Sequence, residues 1–143
     1  MPAHADSGVV PYTPAQMFDL VADIEAYPQF LPWCRAARIL HRQGDSVRAE
    51  LVIGFKGVTE RYVSRVLFDR TRMKIDVEYE RGPFKYLKNK WNFSEAPEGC
   101  RVEFEIDFEF RSRLLQMLIG AVFTEAVRRM TQAFRQRADS LYG

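Results

Sequence analysis

VEFEIDFEFRSRLLQMLIGAVF, residues 102–123, decides the fold because the spacing of its apolar residues changes in the middle. As far as Phe110, apolar residues alternate with glutamate and aspartate, which is typical of a strand with one buried face and one face in water. From Ser112 onward, apolar residues recur at helical spacing, which predicts a helix over residues 112–141. A strand of an antiparallel sheet therefore leads directly into a long helix.

The first half of this predicted helix carries more apolar surface than a sheet needs to cover. Residues 114–123 are apolar nearly all round, whereas residues 128–143 are clearly amphipathic. A helix that packs on a sheet needs only one apolar face, so the surplus must meet a loop, a partner or a lipid. The positions that form the expected core stripe are Leu115, Ile119, Val122, Ala126, Met130, Ala133 and Phe134.

The same two-residue alternation also occurs upstream of this segment. Including residues 102–110, the alternating segments are residues 47–55, 58–68, 73–79, 87–93 and 102–110. Turns containing glycine, proline or aspartate separate them. The pattern predicts a meander of about six antiparallel strands with short connections, and SGVVPY, residues 7–12, is a further short strand candidate.

Two short helices are predicted before the meander. Thr13, Pro14 and Gln16 have the spacing of an N-cap, a first helical residue and the end of a capping box. The next stretch, EAYPQFLPWC (residues 25–34, the mouth stretch), has room for at most one helical turn between its two prolines.

The mouth stretch is unusually apolar for a segment with two prolines. It falls where the chain leaves the first helix and enters the sheet, at the rim of the interior. We expect Phe30 and Leu31 to point inward and Tyr27 and Trp33 to lie at the edge. Two interpretations stay open, because ligand pockets are mostly apolar and few per protein: the stretch is an apolar plug that completes the core, or it is the mouth of a ligand cavity.

These elements predict an α+β fold of the helix-grip type. We expect a curved antiparallel sheet of about six to seven strands wrapped around the long C-terminal helix, with the two short N-terminal helices closing one end. The 143 residues suit a single domain over residues 1–143. The interior between sheet and helix is wide, and side chains either fill it or leave it hollow.

Composition and charge restrict the functional classes. The chain is 47% hydrophobic and its formal net charge is +2, which is too small for strong nucleic-acid binding through overall charge, so DNA is not an expected partner. Cys34 and Cys100 have neither CxxC nor metal-ligand spacing, which indicates reduced thiols inside a cell. The sequence shows no secretion signal and no apolar run that would cross a bilayer. We expect a cytoplasmic protein that also contacts the inner face of the membrane peripherally.

The sequence offers no set of catalytic residues. His4 and His41 have no evident partners, and most acidic residues fall on the wet faces of strands. Cys34 is interpreted as a small buried hydrophobe rather than a reactive thiol. Ser64 and Asn89 are polar residues that fall on the same strand faces as the predicted core residues. Two isolated polar groups can orient a carbonyl group by hydrogen bonds, but they do not suit proton transfer. The sequence therefore predicts a binding protein and not an enzyme.

Three segments resemble a known family: PYTPAQMFDLVADIEAYPQFLPWC (residues 11–34), FKGVTERYVSRV (residues 55–66) and FEFRSRLLQMLIGAVFTEAVRRMTQAF (residues 108–134). They are similar to the coenzyme Q-binding protein family of the START-like, polyketide cyclase-like superfamily, whose bacterial relatives include ribosome-association toxins. One departure is Ala121, where many relatives carry proline. The resemblance implies a helix-grip fold that binds ubiquinone or a similar polyisoprenoid, with no catalytic residues, no metal and no other cofactor.

The expected ligand contacts are inward side chains of the sheet, the long helix and the mouth stretch. A quinone oxygen would meet Tyr62, Ser64 or Asn89, and the isoprenoid tail would lie against apolar side chains. The full set is Phe30, Leu31, Trp33, Phe55, Tyr62, Ser64, Val66, Tyr79, Leu87, Asn89, Trp91, Phe104, Phe108, Leu115, Leu118, Ile119, Val122, Phe123 and Ala126.

The first functional hypothesis is a carrier or chaperone of ubiquinone for quinone biosynthesis or respiratory electron transport. Its mouth would touch the membrane surface, because tryptophan and tyrosine suit the interface and arginine meets anionic head groups. The residues expected there are Tyr27, Trp33, Arg111, Arg113, Leu114, Met117 and Leu118.

Two other hypotheses belong to different classes. One is a regulator that binds the large ribosomal subunit and blocks subunit joining, in which Arg128, Arg129, Arg135 and Arg137 grip RNA phosphates. The other is a cyclase or dehydratase, as in the wider superfamily. The absence of a recognisable acid–base pair in the sequence argues against the enzyme.

Overall fold

Seven strands and three helical segments make up the part of the chain that this computed structural model describes, which is residues 3–55 and 57–143, with side chains for residues 3–54 and 57–143. The strands are β1 Ala3–Val10, β2 Cys34–Gln43, β3 Ser46–Phe55, β4 Val58–Asp69, β5 Lys74–Arg81, β6 Phe84–Ala96 and β7 Gly99–Phe110. The helical segments are α1 Pro14–Ala22, a 3₁₀ helix Ile24–Gln29 and α2 Arg113–Tyr142.

The strands form one antiparallel sheet in the order β1-β7-β6-β5-β4-β3-β2. From β2 to β7, consecutive strands are neighbours, and β1 pairs with β7, with Ala3 opposite Asp107 and Val10 opposite Cys100. The prediction of a curved sheet of six to seven strands with a long C-terminal helix is confirmed. β1 is longer than the predicted short strand, because most of its residues are exposed and therefore show no hydrophobic alternation.

The inward faces of the strands carry residues that the alternation predicts. In β7, Phe104 and Phe108 are buried, whereas Glu103 and Glu105 are exposed. Together with α1 and the second half of α2, inward residues form the main hydrophobic core, in which Phe18 is 0% exposed. A smaller cluster of buried residues, against which side chains of the first turns of α2 pack, consists of Phe84, Leu87, Phe108 and Phe110.

Helix α1 begins with the predicted capping box. The Gln16 N–H donates to Thr13 Oγ1 over 3.1 Å, and the Thr13 N–H donates to Gln16 Oε1 over 3.0 Å. These bonds satisfy backbone donors at the helix start that lack intrahelical partners. The helix buries Met17, Phe18, Leu20 and Val21 in the core.

The second short helix differs from its predicted position. The sequence predicts a turn between Pro28 and Pro32, whereas the 3₁₀ helix Ile24–Gln29 runs through Pro28 and ends before Phe30. The fixed φ of proline is compatible with 3₁₀ geometry, and proline removes only its own N–H donor. The N–H groups of Phe30 and Leu31 close the segment by donating to the carbonyl of Tyr27, over 3.1 and 2.8 Å.

Helix α2 is anchored to the N-terminal region at its far end. Ser112 caps its start by accepting a hydrogen bond from the Leu115 N–H, as the predicted boundary implies. Near its end, the Tyr12 hydroxyl donates to Asp139, and the Tyr142 hydroxyl donates to a carbonyl of α1. Within the described residues, no helix combines the length and apolar character needed to cross a membrane.

Candidate ligand-binding site

Two adjacent cavities lie between the inward face of the sheet and α2. The first has a volume of about 190 Å³ and lies beneath the first half of α2, next to β3, β4, β6 and β7. The second has a volume of about 130 Å³ and lies deeper, near α1 and the mouth stretch. We call the two cavities together the hollow. Six residues line both cavities: Trp33, Ile53, Tyr62, Leu87, Ile106 and Met130.

The structure brings most of the predicted ligand contacts together around the hollow. Nine of them line the first cavity: Trp33, Tyr62, Leu87, Phe108, Leu115, Leu118, Ile119, Phe123 and Ala126. The second cavity is lined by a partly overlapping set: Leu31, Trp33, Tyr62, Ser64, Val66, Leu87, Asn89, Trp91 and Phe104.

Three predicted contacts line neither cavity, and one lies outside the described side chains. Phe30 packs its ring against Phe134, with ring centroids 5.3 Å apart. The Tyr79 hydroxyl accepts a hydrogen bond from the Phe84 N–H over 3.1 Å, and their rings meet edge to face. Val122 is half-buried on α2 without reaching either cavity. The fourth, Phe55, belongs to the undescribed side chains.

Of the two aromatic residues expected at the edge, only Trp33 reaches the rim position. It is half-buried and lines both cavities. Tyr27 is also half-buried and lines the second cavity only, packed against the core with its hydroxyl donating to the Val21 carbonyl and its ring edge-on to Phe134. Burial raises the pKa of Tyr27 far above its ordinary value. The expectation for Tyr27 is wrong because the 3₁₀ helix turns this ring toward the core.

Several polar groups of the second cavity are already engaged by the protein. Asn89 donates from Nδ2 to the carbonyl of Glu105 over 2.8 Å, and its Oδ1 accepts a hydrogen bond from the Trp91 indole over 3.2 Å. The Cys34 thiol donates to the Ala36 carbonyl over 3.5 Å, and burial raises its pKa to about 11. The thiol is therefore protonated at neutral pH, as the interpretation of a small buried hydrophobe requires.

Tyr62 and Ser64 differ from these engaged groups. Both project from β4 into the hollow, and Ser64 is only 2% exposed. Among the described residues neither hydroxyl has a hydrogen-bond partner, and neither oxygen is completely enclosed by protein. Burial raises the pKa of Tyr62 well above its ordinary value, so its hydroxyl keeps its proton. Two hydrogen-bond donors thus face apolar space.

A carboxylate that the expected set omits also lines the first cavity. Glu60 lies opposite Ile53 in the β3–β4 register, and both residues belong to the lining. Glu60 lies two residues before Tyr62 and four before Ser64, so the three side chains project from the same face of β4. This spacing is the signal in the sequence that identifies Glu60. Acidic residues on strands are usually surface charges, so residue type alone does not predict Glu60 at the cavity.

The rim of the first cavity joins the mouth stretch, the β3–β4 hairpin and the start of α2. Gly54 lines the cavity, and the side chain of Arg35 lies over it so closely that a Cβ atom at Gly54 would be 2.4 Å from Arg35 Nε. On α2, Leu114 and Met117 are 68% and 74% exposed, next to the lining residue Leu118. Apolar side chains therefore face solvent beside the rim.

The four arginines predicted to grip RNA, Arg128, Arg129, Arg135 and Arg137, all bond within the protein. Glu125 accepts hydrogen bonds from Arg128 and Arg129 over 2.6 and 3.2 Å, and these bonds hold the pKa of the Glu125 carboxyl below its ordinary value. The other two arginines donate to a carbonyl of β1 and to a side chain of the 3₁₀ helix. Each of these arginines therefore uses at least one of its five guanidinium N–H donors within the protein.

Among the described residues, few ionisable side chains line the two cavities. Over residues 3–55 and 57–143, no three histidine, cysteine, aspartate or glutamate side chains are placed to hold a metal ion. Neither His4 nor His41 lines either cavity. The arrangement offers one carboxylate and two hydroxyls against an apolar wall, which suits binding an apolar molecule with a small polar end.

Comparisons with known proteins agree with this geometry. The family model described as polyketide cyclase / dehydrase and lipid transport matches residues 10–135. A ribosome association toxin RatA of Rickettsia prowazekii is 46% identical over 136 residues, which cover 93% of each chain. The mitochondrial coenzyme Q-binding protein COQ10 homolog B of Xenopus laevis is 35% identical over 144 residues, which cover 98% of this chain and 59% of that protein.

A solved structure supports the fold independently. A START superfamily protein from Mycobacterium smegmatis superposes with a TM-score of 0.82 at 19% identity, covering 97% of this chain and 98% of that chain. At this identity the likeness concerns the fold alone.

Proposed function

Since this chain belongs to the polyketide cyclase / dehydrase and lipid transport family, we propose that it binds a polyisoprenoid quinone such as ubiquinone in the hollow and carries it without changing it chemically. The observation that carries the proposal is the pair of adjacent cavities with a predominantly apolar lining. The similarity to a coenzyme Q-binding protein supports this class of ligand.

Such a carrier needs an apolar cavity that excludes water, and it does not need high affinity for the ligand. Burying one methylene group from water is worth about 0.8 kcal/mol, so an isoprenoid tail gains several kcal/mol in any apolar site. A tail in a bilayer has already gained this energy, and transfer from bilayer to hollow is therefore nearly neutral. The apolar lining supplies the container, and the hydroxyls of Tyr62 and Ser64 supply donors for a quinone oxygen.

A carrier also needs a route between the membrane and the hollow. We place this route at the rim between the mouth stretch and the first turns of α2, where Leu114 and Met117 are exposed. Trp33 lines the hollow there, and Arg113 lies exposed in the first turn of α2. Arg111 is less available for lipid head groups, because its Nε donates to the carbonyl of Phe84 over 3.1 Å.

Extraction of the purified protein with organic solvent, followed by mass spectrometry, tests the proposal. The expected result is an isoprenoid quinone that co-purifies with the chain and is absent from a mock purification of cells that lack the protein. A protein that yields no isoprenoid and also fails to bind added decylubiquinone would contradict the proposal.

Association with the large ribosomal subunit is a second candidate function, favoured by the relative named as a ribosome association toxin. Co-sedimentation of the protein with purified large subunits tests it. Binding through arginine–phosphate contacts should weaken steeply between about 50 and 200 mM salt. Reversing the charge of the exposed Arg135 should weaken this binding if α2 is the contact surface, because an acidic side chain there would repel RNA phosphates. Unchanged sedimentation of that variant would place the contact elsewhere.

A cyclase or dehydratase remains the least supported function. Proton transfer needs an acid and a base within reach of the substrate. The described lining offers Glu60 as a carboxylate, and no histidine accompanies it. We therefore propose that the chain is not an enzyme.

A further inference from the structure

Unused hydrogen-bonding capacity in the hollow is concentrated on one strand. Glu60, Tyr62 and Ser64 lie at alternate positions of β4, opposite Ile53, Leu51 and Ala49 of β3. All six residues line one or both cavities, so the three polar side chains share the inward face. Glu60 lines the first cavity, Tyr62 lines both, and Ser64 lines the second. We call these three residues the polar strip.

Other polar groups near the polar strip are satisfied by the protein. The Tyr27 hydroxyl, the Asn89 amide and the Cys34 thiol each bond to a backbone carbonyl. Some carboxylates on the outer face form ion pairs, as Glu80 does with Arg48. By contrast, no ion pair or side-chain hydrogen bond involves Glu60, Tyr62 or Ser64 within the described residues.

The chemistry of the polar strip defines what would complete it. A carboxylate only accepts hydrogen bonds, whereas tyrosine and serine hydroxyls both donate and accept. Tyr62 and Ser64 match an acceptor, such as a carbonyl or ether oxygen. Glu60 is half-buried at the first cavity and can accept a hydrogen bond from a ligand donor in place of water, and a fully oxidised quinone has no such donor.

We propose that the polar strip makes the hollow selective for amphiphiles whose polar end carries a hydroxyl donor, of the phenol or hydroquinone class, over equivalents that lack the donor. This inference rests on the proposed function, because it concerns the ligand of the same hollow. It adds that the reduced, hydroxyl-bearing form of a quinone binds more tightly than the oxidised form. Glu60 is the residue that sets this preference.

A matched pair of probes tests the inference. 4-Decylphenol and its methyl ether, 4-decylanisole, share ring and chain but differ in the hydroxyl donor, and their dissociation constants follow from tryptophan fluorescence because Trp33 and Trp91 line the hollow. We expect the phenol to bind about tenfold or more tightly than the ether, as a hydrogen bond to a charged acceptor implies. The ratio of the dissociation constant of the ether to that of the phenol should approach one in Glu60→Leu and decrease in Glu60→Gln.

The controls separate the inference from the proposed function. Glu78→Gln alters an exposed residue of β5 opposite Arg65 and should keep the wild-type ratio. If wild-type protein binds both probes equally, or if both Glu60 variants fold and keep its preference, the inference is wrong while the hollow still binds amphiphiles. If neither probe binds, the inference fails, and titration with decylubiquinone then shows whether the proposed function fails with it.

Discussion

The N–H of Gly54 donates a hydrogen bond of 2.9 Å to the carbonyl of Trp33, and this bond ties the mouth stretch to the edge of the first cavity. Both residues line that cavity, so the chain segment at the rim is fixed to the end of β3. The Trp33 side chain lies between the two cavities, which makes it the residue that best distinguishes a mouth from a plug.

The substitution Trp33→Ala should weaken association with liposomes more than it weakens folding. Its side chain is half-buried at the rim rather than enclosed in the core, so part of its apolar surface is free to meet lipid. Flotation with anionic liposomes and urea unfolding measure the two effects. Unchanged flotation with a loss of about 3–5 kcal/mol in the free energy of unfolding, typical of a truncated core aromatic, would identify Trp33 as a plug.

Replacing Leu114 and Met117 together by serine should reduce liposome binding while leaving stability nearly unchanged. Both side chains are largely exposed, so folding loses little apolar burial. Leu141→Ser is the matched control, because Leu141 is 50% exposed at the other end of α2. Equal losses of flotation for the double variant and the control would show that the start of α2 has no special role.

The substitution Phe18→Ala should destabilise the protein by about 3–5 kcal/mol, because it removes a fully buried ring from the main core. Its ring lies edge to face against Phe68 and Phe93, so the cavity left behind has rigid walls. Leu141→Ala should stay within about 0.5 kcal/mol of the wild type. Urea unfolding of the three proteins checks the difference, and similar midpoints for both variants would contradict the described core.

Alkaline pH should destabilise the fold partly through Cys34. Burial raises the pKa of this thiol from its ordinary value of 9.0 to about 11, so the folded state holds the proton more tightly than the unfolded state. The resulting stabilisation is complete below about pH 9 and is lost as pH rises through about 11. Burial raises the pKa of Tyr27 and Tyr62 as well, so their ionisation at alkaline pH also lowers the free energy of unfolding.

Urea unfolding at several pH values measures this effect. The free energy of unfolding should fall between about pH 9 and about pH 11, and the fall should be smaller in Cys34→Ala than in the wild type. Equal falls in the two proteins would show that the Cys34 thiol is not buried as described.

The fold follows from the sequence because its main signals are local. The alternation that ends at Phe110 and the helical spacing after Ser112 fix the last strand and α2, and the capping box fixes the start of α1. The 3₁₀ helix escapes this kind of prediction, since Pro28 reads as a break although its φ fits the helix.

The site is less fully encoded in such patterns. Parity places Ser64 and Trp91 on the inward face, but it does not show which inward side chains border empty space. Phe30 is excluded from the hollow because the Phe134 ring occupies the adjacent space, a tertiary fact that strand and helix periods do not contain. Glu60 is the converse case: it lines the first cavity although it is absent from the expected contacts, because a glutamate on a strand is usually exposed.

Titration of the protein with decylubiquinone, followed by tryptophan fluorescence, tests the central claim most directly. Trp33 and Trp91 line the second cavity, so a ligand in the hollow should quench them with saturation at one molecule per chain. Ala126→Phe, which fills the first cavity, should weaken binding, while Ala121→Phe on the exposed side of α2 should not. Quenching that never saturates, or that is the same in both variants, would contradict a ligand-binding hollow.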